Sequence, residues 1–140
     1  MTGSNITAVI LTLNEAVNLE RCIGSLSWCA QVVVLDSGST DKTKEEALRL
    51  GASFFVHKQK PPFKIDQQRN WALEECKIET EWVLFLDADE TVPQALRDEI
   101  LTKCADPAAV EFNAYELTPR YLFWGKWLKR TQGYPNWHHR

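Results

Sequence analysis

The chain has 140 residues, enough for one domain with a real core, and its 44% hydrophobic and 25% charged content is typical of a soluble globular protein. The net charge of −3 argues against nucleic acid as the main partner. Residues 1–5 do not form a signal peptide, and no apolar run is long enough to span a membrane. The cysteines lack the paired spacing of a zinc site, which predicts reduced, buried thiols in a cytoplasmic protein.

Strand-like and helix-like segments alternate along the chain. Three helix starts are predicted from polar N-cap residues, namely Asn14, Asp66 and Thr91. In chain order, apolar β-branched runs predict strands at 6–13, 32–35, 53–56 and from residue 82, with a further strand within 111–118. Helical spacing predicts helices at 15 to about 28, 41–50, 66 to about 77 and 93 to about 104.

Continuous apolar strands separated by helices indicate a doubly wound α/β fold, in which a mostly parallel sheet carries helices on both faces. In such a sheet the strands' carboxyl ends and the following helices' N-termini share one edge, and ligands bind there where the strand order reverses. The alternation therefore predicts that four polar groups meet at this edge. They are residues 14–15, Asp36, residues 66–69 and residues 87–90.

Three acidic residues follow the apolar strand that begins at residue 82. Asp87 and Asp89 are separated by one small residue, so a tight turn would aim both carboxylates at one hard cation. The alternative is that these acids cap the next helix, but Thr91 with Gln94 resembles a capping box and takes that role. The pattern therefore predicts a divalent-metal site whose remaining ligands are phosphate oxygens and water.

The other polar residues of this edge allow two interpretations each. Asp36 precedes a Ser-Gly-Ser-Thr turn, and it either accepts hydrogen bonds from a base or ribose or stabilises the turn. Arg69, predicted in the first turn of its helix, either pairs with phosphate or is a surface residue. Glu15 is interpreted as an acidic residue that is favourable in the first turn of a helix. The lysines at 58, 60 and 64 are interpreted as part of a solvated loop. The chain contains no Gly-rich dinucleotide fingerprint and no P-loop.

Four segments of the chain resemble motifs of family 2 glycosyltransferases, which have the GT-A fold. They are ITAVILTLNE at 6–15, VVLDSGSTDKT at 33–43, QRN at 68–70 and WVLFLDADE at 82–90, in the family's order and spacing over about residues 5–105. Within the family the stretch 121–137 is similar to bacterial lipopolysaccharide-core glucosyltransferases. Two positions depart from the family pattern: Leu13 stands where a tyrosine is common, and Glu90 where many members have Asp.

The resemblance implies a Rossmann-like GT-A nucleotide-sugar-binding domain at 1–118 and an aromatic, basic tail at 119–140 that begins the acceptor side. By analogy Asp36 contacts the base or ribose, and Arg69 lies near the ribose or diphosphate. Asp87 lies beside the sugar nucleotide and joins Asp89 in the Mn²⁺ or Mg²⁺ site. The residues implied to line the nucleotide pocket are Thr12, Asn14 and Glu15.

The implied activity is metal-dependent, inverting transfer of a sugar from a nucleoside diphosphate, UDP favoured, to a carbohydrate or glycolipid acceptor. Its setting would be cell-surface polysaccharide or lipopolysaccharide synthesis, in the cytoplasm or at the inner face of the membrane. Family members continue well beyond residue 140, past the usual catalytic acid, so no catalytic base is assigned. The pair His138 and His139 is expected to be disordered. One alternative is a truncated, non-catalytic nucleotide-sugar-binding or assembly module. Another is a sugar nucleotidyltransferase, but those enzymes normally have a Gly-rich, basic first loop, and residues 12–17 do not form such a loop.

The last stretch of the chain combines aromatic and basic residues. One interpretation is a patch for the acceptor or a membrane surface. The other, which the sequence favours, is a hydrophobic segment that packs against further protein and otherwise forms a homodimer. The aromatic residues are Tyr115, Tyr121, Phe123, Trp124, Trp127, Tyr134 and Trp137, and the basic ones are Arg120, Lys126, Lys129 and Arg130.

Overall fold

Four parallel strands form the central sheet of the computed structural model, which describes residues 4–105, 112–129 and 138–139. The strands are β1 (Ile6–Thr12), β2 (Gln31–Asp36), β3 (Ser53–Val56) and β4 (Trp82–Asp87). Their order in the sheet is β3-β2-β1-β4, and every neighbouring pair is parallel. The predicted α/β sheet is therefore confirmed.

In the described part of the chain, four helices connect or follow these strands, and their starts differ from the predicted ones. The helices are α1 (Ala16–Gly24), α2 (Thr43–Arg49), α3 (Ile65–Glu75) and α4 (Gln94–Lys103). The N-cap positions of α1, α3 and α4 are Glu15, Lys64 and Pro93, and none of these side chains bonds its helix end. The capping roles predicted for Asn14, Asp66 and Thr91 were therefore wrong. The first helix also ends at Gly24 instead of near residue 28, because the N–H groups of Leu26 and Cys29 donate to carbonyls three residues back and so form turns in place of further α-helix.

The core lies on both faces of the sheet because β1 and β2 occupy its centre. On one face Val9, Val33 and Leu35 pack with Ala72 and Cys76 of α3. Side chains of neighbouring strand positions, such as Ile10 and Val34, point to the opposite face and are completely buried as well. Right-handed crossovers place α1 and α2 over that face. Because helices cover both faces of the sheet, the strands are apolar along their whole length and do not alternate between apolar and polar residues.

The cysteines serve as small buried side chains, as the sequence predicted. All four thiols are free, and three of them are buried. Burial raises the pKa of Cys22 and of Cys29 to about 12 and that of Cys76 to about 11, so these thiols stay protonated near neutral pH.

The chain divides into two compact units, Met1–Ala109 and Val110–Arg140. The described residues of the second unit form the short strands β5 (Glu116–Leu117), β6 (Leu122–Phe123), β7 (Lys126–Trp127) and β8 (His138–His139). Among them β5 pairs antiparallel with β8, and β6 with β7. His138 and His139, which were expected to be disordered, form a short strand. Within the described residues 112–118 of the strand expected at 111–118, Glu116–Leu117 is the part that forms. The functional boundary between residues 118 and 119 stays a prediction.

No helix in the described part of the chain combines the length and the apolar character that crossing a membrane requires.

Candidate functional site

The carboxyl ends of β1, β2 and β4 lie side by side at one edge of the sheet. Thr12 pairs in register with Asp36, and Leu11 pairs with Asp87 on the other side of β1. The chain moves outward from β1 to β2 and β3 and then returns to place β4 beside β1. The strand order therefore reverses at β1, which is where open α/β sheets bind their ligands. The sheet thus brings Thr12, Asp36 and Asp87 together at the expected edge.

Asp36 is buried at this edge, and its carboxylate is saturated by hydrogen bonds from the protein. Thr12 Oγ1 donates to Oδ1 at 2.9 Å, while the backbone N–H groups of Gly38 and Ser39 donate to Oδ2 at 2.8 and 2.7 Å. The Ser39 hydroxyl donates to Oδ1 as well. This is the turn-stabilising role that the sequence left open. A base or ribose contact by the Asp36 carboxylate stays a prediction, and it would have to share oxygens already engaged with these donors.

Gly38 is the point where this turn requires glycine. Its φ is +110°, a backbone conformation that L side chains rarely adopt. A Cβ built there would lie 2.5 Å from Cε of Lys58, whose aliphatic stem covers the turn. Lys58 is exposed, as expected for a solvated loop, but its stem contributes to the shape of this part of the edge.

The loops that follow β1 and β2 are joined by hydrogen bonds. Asn14 adopts a positive φ of 57°, and its side-chain oxygen accepts from the backbone N–H groups of Thr40 at 2.8 Å and Asp41 at 3.3 Å. In the other direction the Asn14 N–H donates to Ser39 Oγ at 2.7 Å, and the Glu15 N–H donates to Thr43 Oγ1 at 3.0 Å. Asn14 therefore holds two loops together instead of capping α1.

Asp41 contributes to the same junction and carries a pH dependence. Its Oδ1 accepts from the Thr43 N–H at 3.0 Å and from the Thr43 hydroxyl, and its Oδ2 accepts from the Ala16 N–H at 3.2 Å. The hydrogen bond from the Thr43 hydroxyl is the main cause that lowers the pKa of the Asp41 carboxyl below its ordinary 3.8. The stability that Asp41 adds is therefore present above pH 3.8 and is lost as the pH falls through the lowered value.

We expect Asp41→Asn to lower the melting temperature at neutral pH, and to do so progressively less as the pH falls below 3.8. Thermal unfolding followed by circular dichroism at a series of pH values measures this difference. Glu79→Gln, which neutralises an exposed loop acid, serves as the control and should leave the melting temperature nearly unchanged at every pH. A difference between the wild type and Asp41→Asn that does not vary with pH would contradict the prediction.

The turn after β4 presents the candidate metal ligands. Asp87 is half-buried at the strand end, Ala88 is buried beneath the turn, and Asp89 is exposed. The Glu90 N–H donates to the Asp87 carbonyl at 3.0 Å, and the Glu90 carboxylate accepts from the Asp87 N–H at 3.0 Å. Glu90 thus closes the turn and has a structural role, which the sequence had not assigned to any of the three acids.

Residues in the last turn of helix α1 and just after it form hydrogen bonds with this turn. Arg21 Nη2 donates to the Asp89 carbonyl at 3.1 Å, and the Val92 N–H donates to Ser25 Oγ at 3.1 Å. Both contacts link residues more than 60 positions apart in the chain. No local sequence pattern indicates such a pair, so the role of Arg21 was missed. The one feature of the sequence that draws attention to Arg21 is its position as a basic residue in the last turn of α1.

Arg69 lies on α3 beside β4. Because α3 begins at Ile65, Arg69 is in the second turn of the helix and not in the first as predicted. Its guanidinium carbon is 5.4 Å from the centre of the Phe85 ring, a cation–π distance that places Arg69 next to the strand that carries Asp87.

The residue before Arg69 fixes the start of α3 to the loop after β2. Gln68 is completely buried, its Nε2 donates to Ser37 Oγ at 3.2 Å, and its Oε1 lies 2.9 Å from Nδ1 of His57. The His57 ring stacks on Trp71 with a centroid distance of 4.8 Å and an angle of 4° between the planes. The sequence pointed to Gln68 only as part of the QRN motif at 68–70, and it did not indicate the contact with His57.

The donor atoms of the edge are suited to a hard cation. Among residues 4–105, 112–129 and 138–139, no group of three or more His, Cys, Asp and Glu side chains is arranged to hold a metal ion. Asp87 and Asp89 supply carboxylate oxygens, which Mg²⁺ and Mn²⁺ prefer. Two carboxylates fall short of a complete protein site, so a cation here would need oxygen ligands from a bound molecule and from water.

The sequence profile described as "Glycosyl transferase family 2" matches residues 7–134, nearly the whole chain. The chain belongs to glycosyl transferase family 2. Two similar proteins are an uncharacterized glycosyltransferase of Rickettsia bellii and the lipopolysaccharide core biosynthesis glycosyltransferase LpsC of Rhizobium meliloti. The first is 40% identical over 113 residues and covers 80% of this chain and 37% of the relative. The second is 37% identical over 95 residues and covers 66% of this chain and 34% of the relative.

Solved structures of similar fold include the glucosyl-3-phosphoglycerate synthase of Mycobacterium tuberculosis. One structure of this enzyme matches with a TM-score of 0.55 at 29% identity over 71% of this chain and 40% of the enzyme. Its complex with Mn²⁺ and UDP-glucose matches with a TM-score of 0.54 at 29% identity over 71% of this chain and 38% of the enzyme. The predicted family and GT-A fold are confirmed. The chain spans between about a third and two fifths of the length of these relatives.

Proposed function

We propose that this family 2 chain binds a nucleoside diphosphate sugar, with UDP as the favoured nucleotide, at the carboxyl edge of β1, β2 and β4. The observation that carries the proposal is the turn of Asp87, Ala88 and Asp89 at the point where the strand order reverses. Mn²⁺ and UDP-glucose are bound together in the similar mycobacterial enzyme, which supports a metal and a nucleotide sugar as joint ligands.

In this proposal the residues of the edge have separate roles. Asp89, the exposed acid, ligates Mn²⁺ or Mg²⁺, and Asp87 lies beside the sugar nucleotide and completes the protein's share of the metal site. Arg69 approaches the ribose or diphosphate from α3. Thr12, Asn14, Glu15 and Asp36 form the nucleotide side of the pocket, chiefly by fixing the shape of the two joined loops.

The reaction proposed for the whole protein is inverting transfer of the sugar to a hydroxyl of a carbohydrate or glycolipid acceptor. A bound divalent cation would stabilise the negative charge that develops on the departing diphosphate. The relation to a lipopolysaccharide core glycosyltransferase supports a role in cell-surface polysaccharide synthesis. The free thiols suit a reducing compartment, so we place the activity in the cytoplasm. The general base remains unassigned.

Calorimetric titration of the chain with UDP and with GDP, each with and without Mn²⁺, tests the proposal. We expect UDP to bind in the presence of Mn²⁺ and to bind at least about tenfold more weakly without it, because the diphosphate and the two carboxylates would otherwise repel each other. Absence of binding of either nucleotide to a folded chain would overturn the proposal. Tighter binding of GDP than of UDP would still support a donor site at this edge, but the favoured nucleotide would then be GDP.

A second measurement separates a transferase from a binding module. Consumption of UDP-glucose that requires an added acceptor would assign transferase activity to this chain. Nucleotide binding without acceptor-dependent consumption would assign it the alternative role of a nucleotide-sugar-binding or assembly module, and the transfer step would then belong to a longer protein.

A further inference from the structure

The second compact unit contains a short hairpin with a tryptophan at its tip, formed by residues 121–128 and called here the aromatic hairpin. Leu122 pairs with Trp127 and Phe123 with Lys126, and the Leu128 N–H donates to the Tyr121 carbonyl at 2.9 Å. The two turn residues, Trp124 and Gly125, have positive φ values of 51° and 74°. Two successive positive φ values are the signature of a type I′ turn, whose twist matches that of the strands, so the tip has a defined shape.

Large apolar side chains are exposed on both faces of the aromatic hairpin and at its tip. Paired residues share a face, so Leu122 lies on one face with Trp127 and Phe123 lies on the other with Lys126. Leu122 is 67% exposed, Phe123 62% and Trp124 90%. A protein partner docked on one side of such a ribbon would leave the apolar residues of the other side in water. The lipid headgroup region, in contrast, surrounds an inserted ribbon on all sides.

Beyond Glu116, the segment of the chain that contains the aromatic hairpin carries positive charges only. Residues 117–140 contain 5 of the 16 Lys and Arg residues of the chain and none of its 19 Asp and Glu residues. The rest of the chain therefore carries a net charge of −8, although the whole chain has −3. Two of these cations flank Trp127, with Arg120 Cζ 4.6 Å and Lys129 Nζ 5.3 Å from its ring. An anionic surface is the complementary partner for this segment.

We propose that the aromatic hairpin inserts its tip into the headgroup region of an anionic phospholipid bilayer and so holds the protein at a membrane surface. Tryptophan and tyrosine side chains favour the membrane–water interface, and each Lys or Arg near an anionic surface strengthens binding. Because apolar side chains are exposed on both faces of the hairpin, a membrane surface fits it better than the packing against further protein or a second copy that the sequence alone had favoured. The proposal goes beyond the donor site and does not depend on it, since it uses only residues of the second unit.

Sedimentation of the full chain with vesicles, without nucleotide or metal, tests the proposal. The probes are vesicles of phosphatidylcholine alone and of phosphatidylcholine mixed with phosphatidylglycerol, each at low and high salt. We expect binding to the mixed vesicles at low salt, much weaker binding at high salt, and little binding to phosphatidylcholine alone. Salt weakens the attraction because it screens the exposed cations from the lipid phosphates.

Two substitutions separate the apolar and the charged contributions. Trp124→Asn removes the aromatic side chain but gives the Asn-Gly sequence that type I′ turns prefer, so the hairpin itself should persist, while vesicle binding should weaken about tenfold. Lys126→Gln should weaken it about fivefold. Phe63→Ala removes an aromatic side chain that is 53% exposed in the first unit, and it is expected to bind as the wild type does.

Several results would overturn the proposal. They are absence of binding to mixed vesicles by a chain whose circular dichroism shows it folded, equal binding to both vesicle types, and unchanged binding by Trp124→Asn. A dimer of the wild type that Trp124→Asn converts to a monomer, with no vesicle binding by either, would assign the hairpin to self-association instead. Binding of UDP with Mn²⁺ is measured separately on the same samples, so failure of the donor site and failure of membrane binding are distinguished.

Discussion

Asp89→Ala is expected to abolish the Mn²⁺-dependent part of UDP binding and to leave the fold intact. Asp89 is exposed at the turn after β4, and its backbone carbonyl, not its side chain, accepts the hydrogen bond from Arg21. Removing the carboxylate therefore takes away the proposed metal ligand without removing this support of the turn. We expect the affinity for UDP in the presence of Mn²⁺ to fall by at least about tenfold, to the level without metal.

The matched control for this experiment is Glu81→Gln, at the opposite end of the same strand. It removes one unit of negative charge, as Asp89→Ala does, and keeps an oxygen that can accept from Asn5 Nδ2, a hydrogen bond of 2.8 Å in the wild type. Calorimetry should show wild-type UDP binding for Glu81→Gln and loss for Asp89→Ala, with equal melting temperatures for all three proteins. Retained metal-dependent binding in Asp89→Ala would remove Asp89 from the proposed site.

Asp36→Ala is expected to produce the largest loss of stability among the edge residues. The substitution leaves Thr12 Oγ1 and the N–H groups of Gly38 and Ser39 without their acceptor in a buried place. Each unsatisfied buried donor destabilises the fold by about 1–3 kcal/mol. Because solvent can reach part of the opened turn, we expect a total of about 3 kcal/mol and a fall in melting temperature of about 10 °C.

Urea unfolding measures this free energy, and two variants sharpen the comparison. Asp36→Asn keeps one acceptor oxygen but turns an NH₂ group toward donors, so its loss should be nearly as large as that of Asp36→Ala. Glu79→Ala, at an exposed loop position, should change the free energy of unfolding by less than about 0.5 kcal/mol. If Asp36→Ala unfolded like the wild type while losing affinity for UDP, Asp36 would be a ligand-binding residue and not the organiser of the turn.

The strands and their meeting edge were predictable from the sequence, and the helix starts were not. Apolar residues fill β1 and β2 without alternation, since helices cover both faces of the sheet, and this pattern is local. Capping is a competition between local and distant partners. Asn14 is a residue type that often caps helices, yet its side-chain oxygen accepts from the N–H groups of Thr40 and Asp41. These partners are too distant in the sequence for a local pattern to reveal.

The acids after β4 illustrate the same limit within the candidate site. The spacing of Asp87 and Asp89 was sufficient to propose a cation site, because the turn between them is local. The structural role of Glu90 depends on how tightly that turn closes, and the contact of Arg21 depends on how α1 packs against β4. The Glu90 contact joins residues three positions apart and depends on the exact geometry of the turn, whereas the Arg21 contact joins residues 68 positions apart and depends on tertiary packing. Residue types alone therefore did not separate the acid that supports the turn from the two candidate metal ligands.

The junction between the loops after β1 and β2 has a consequence for the energetics of ligand binding. A flexible loop that must become ordered around a ligand loses conformational entropy at that moment, and the affinity falls accordingly. Here Asn14, Asp36 and Asp41 already hold the two loops in one arrangement through hydrogen bonds within the protein. The entropy has therefore been lost during folding, and a nucleotide that bound as proposed on this side of the edge would meet preorganised loops.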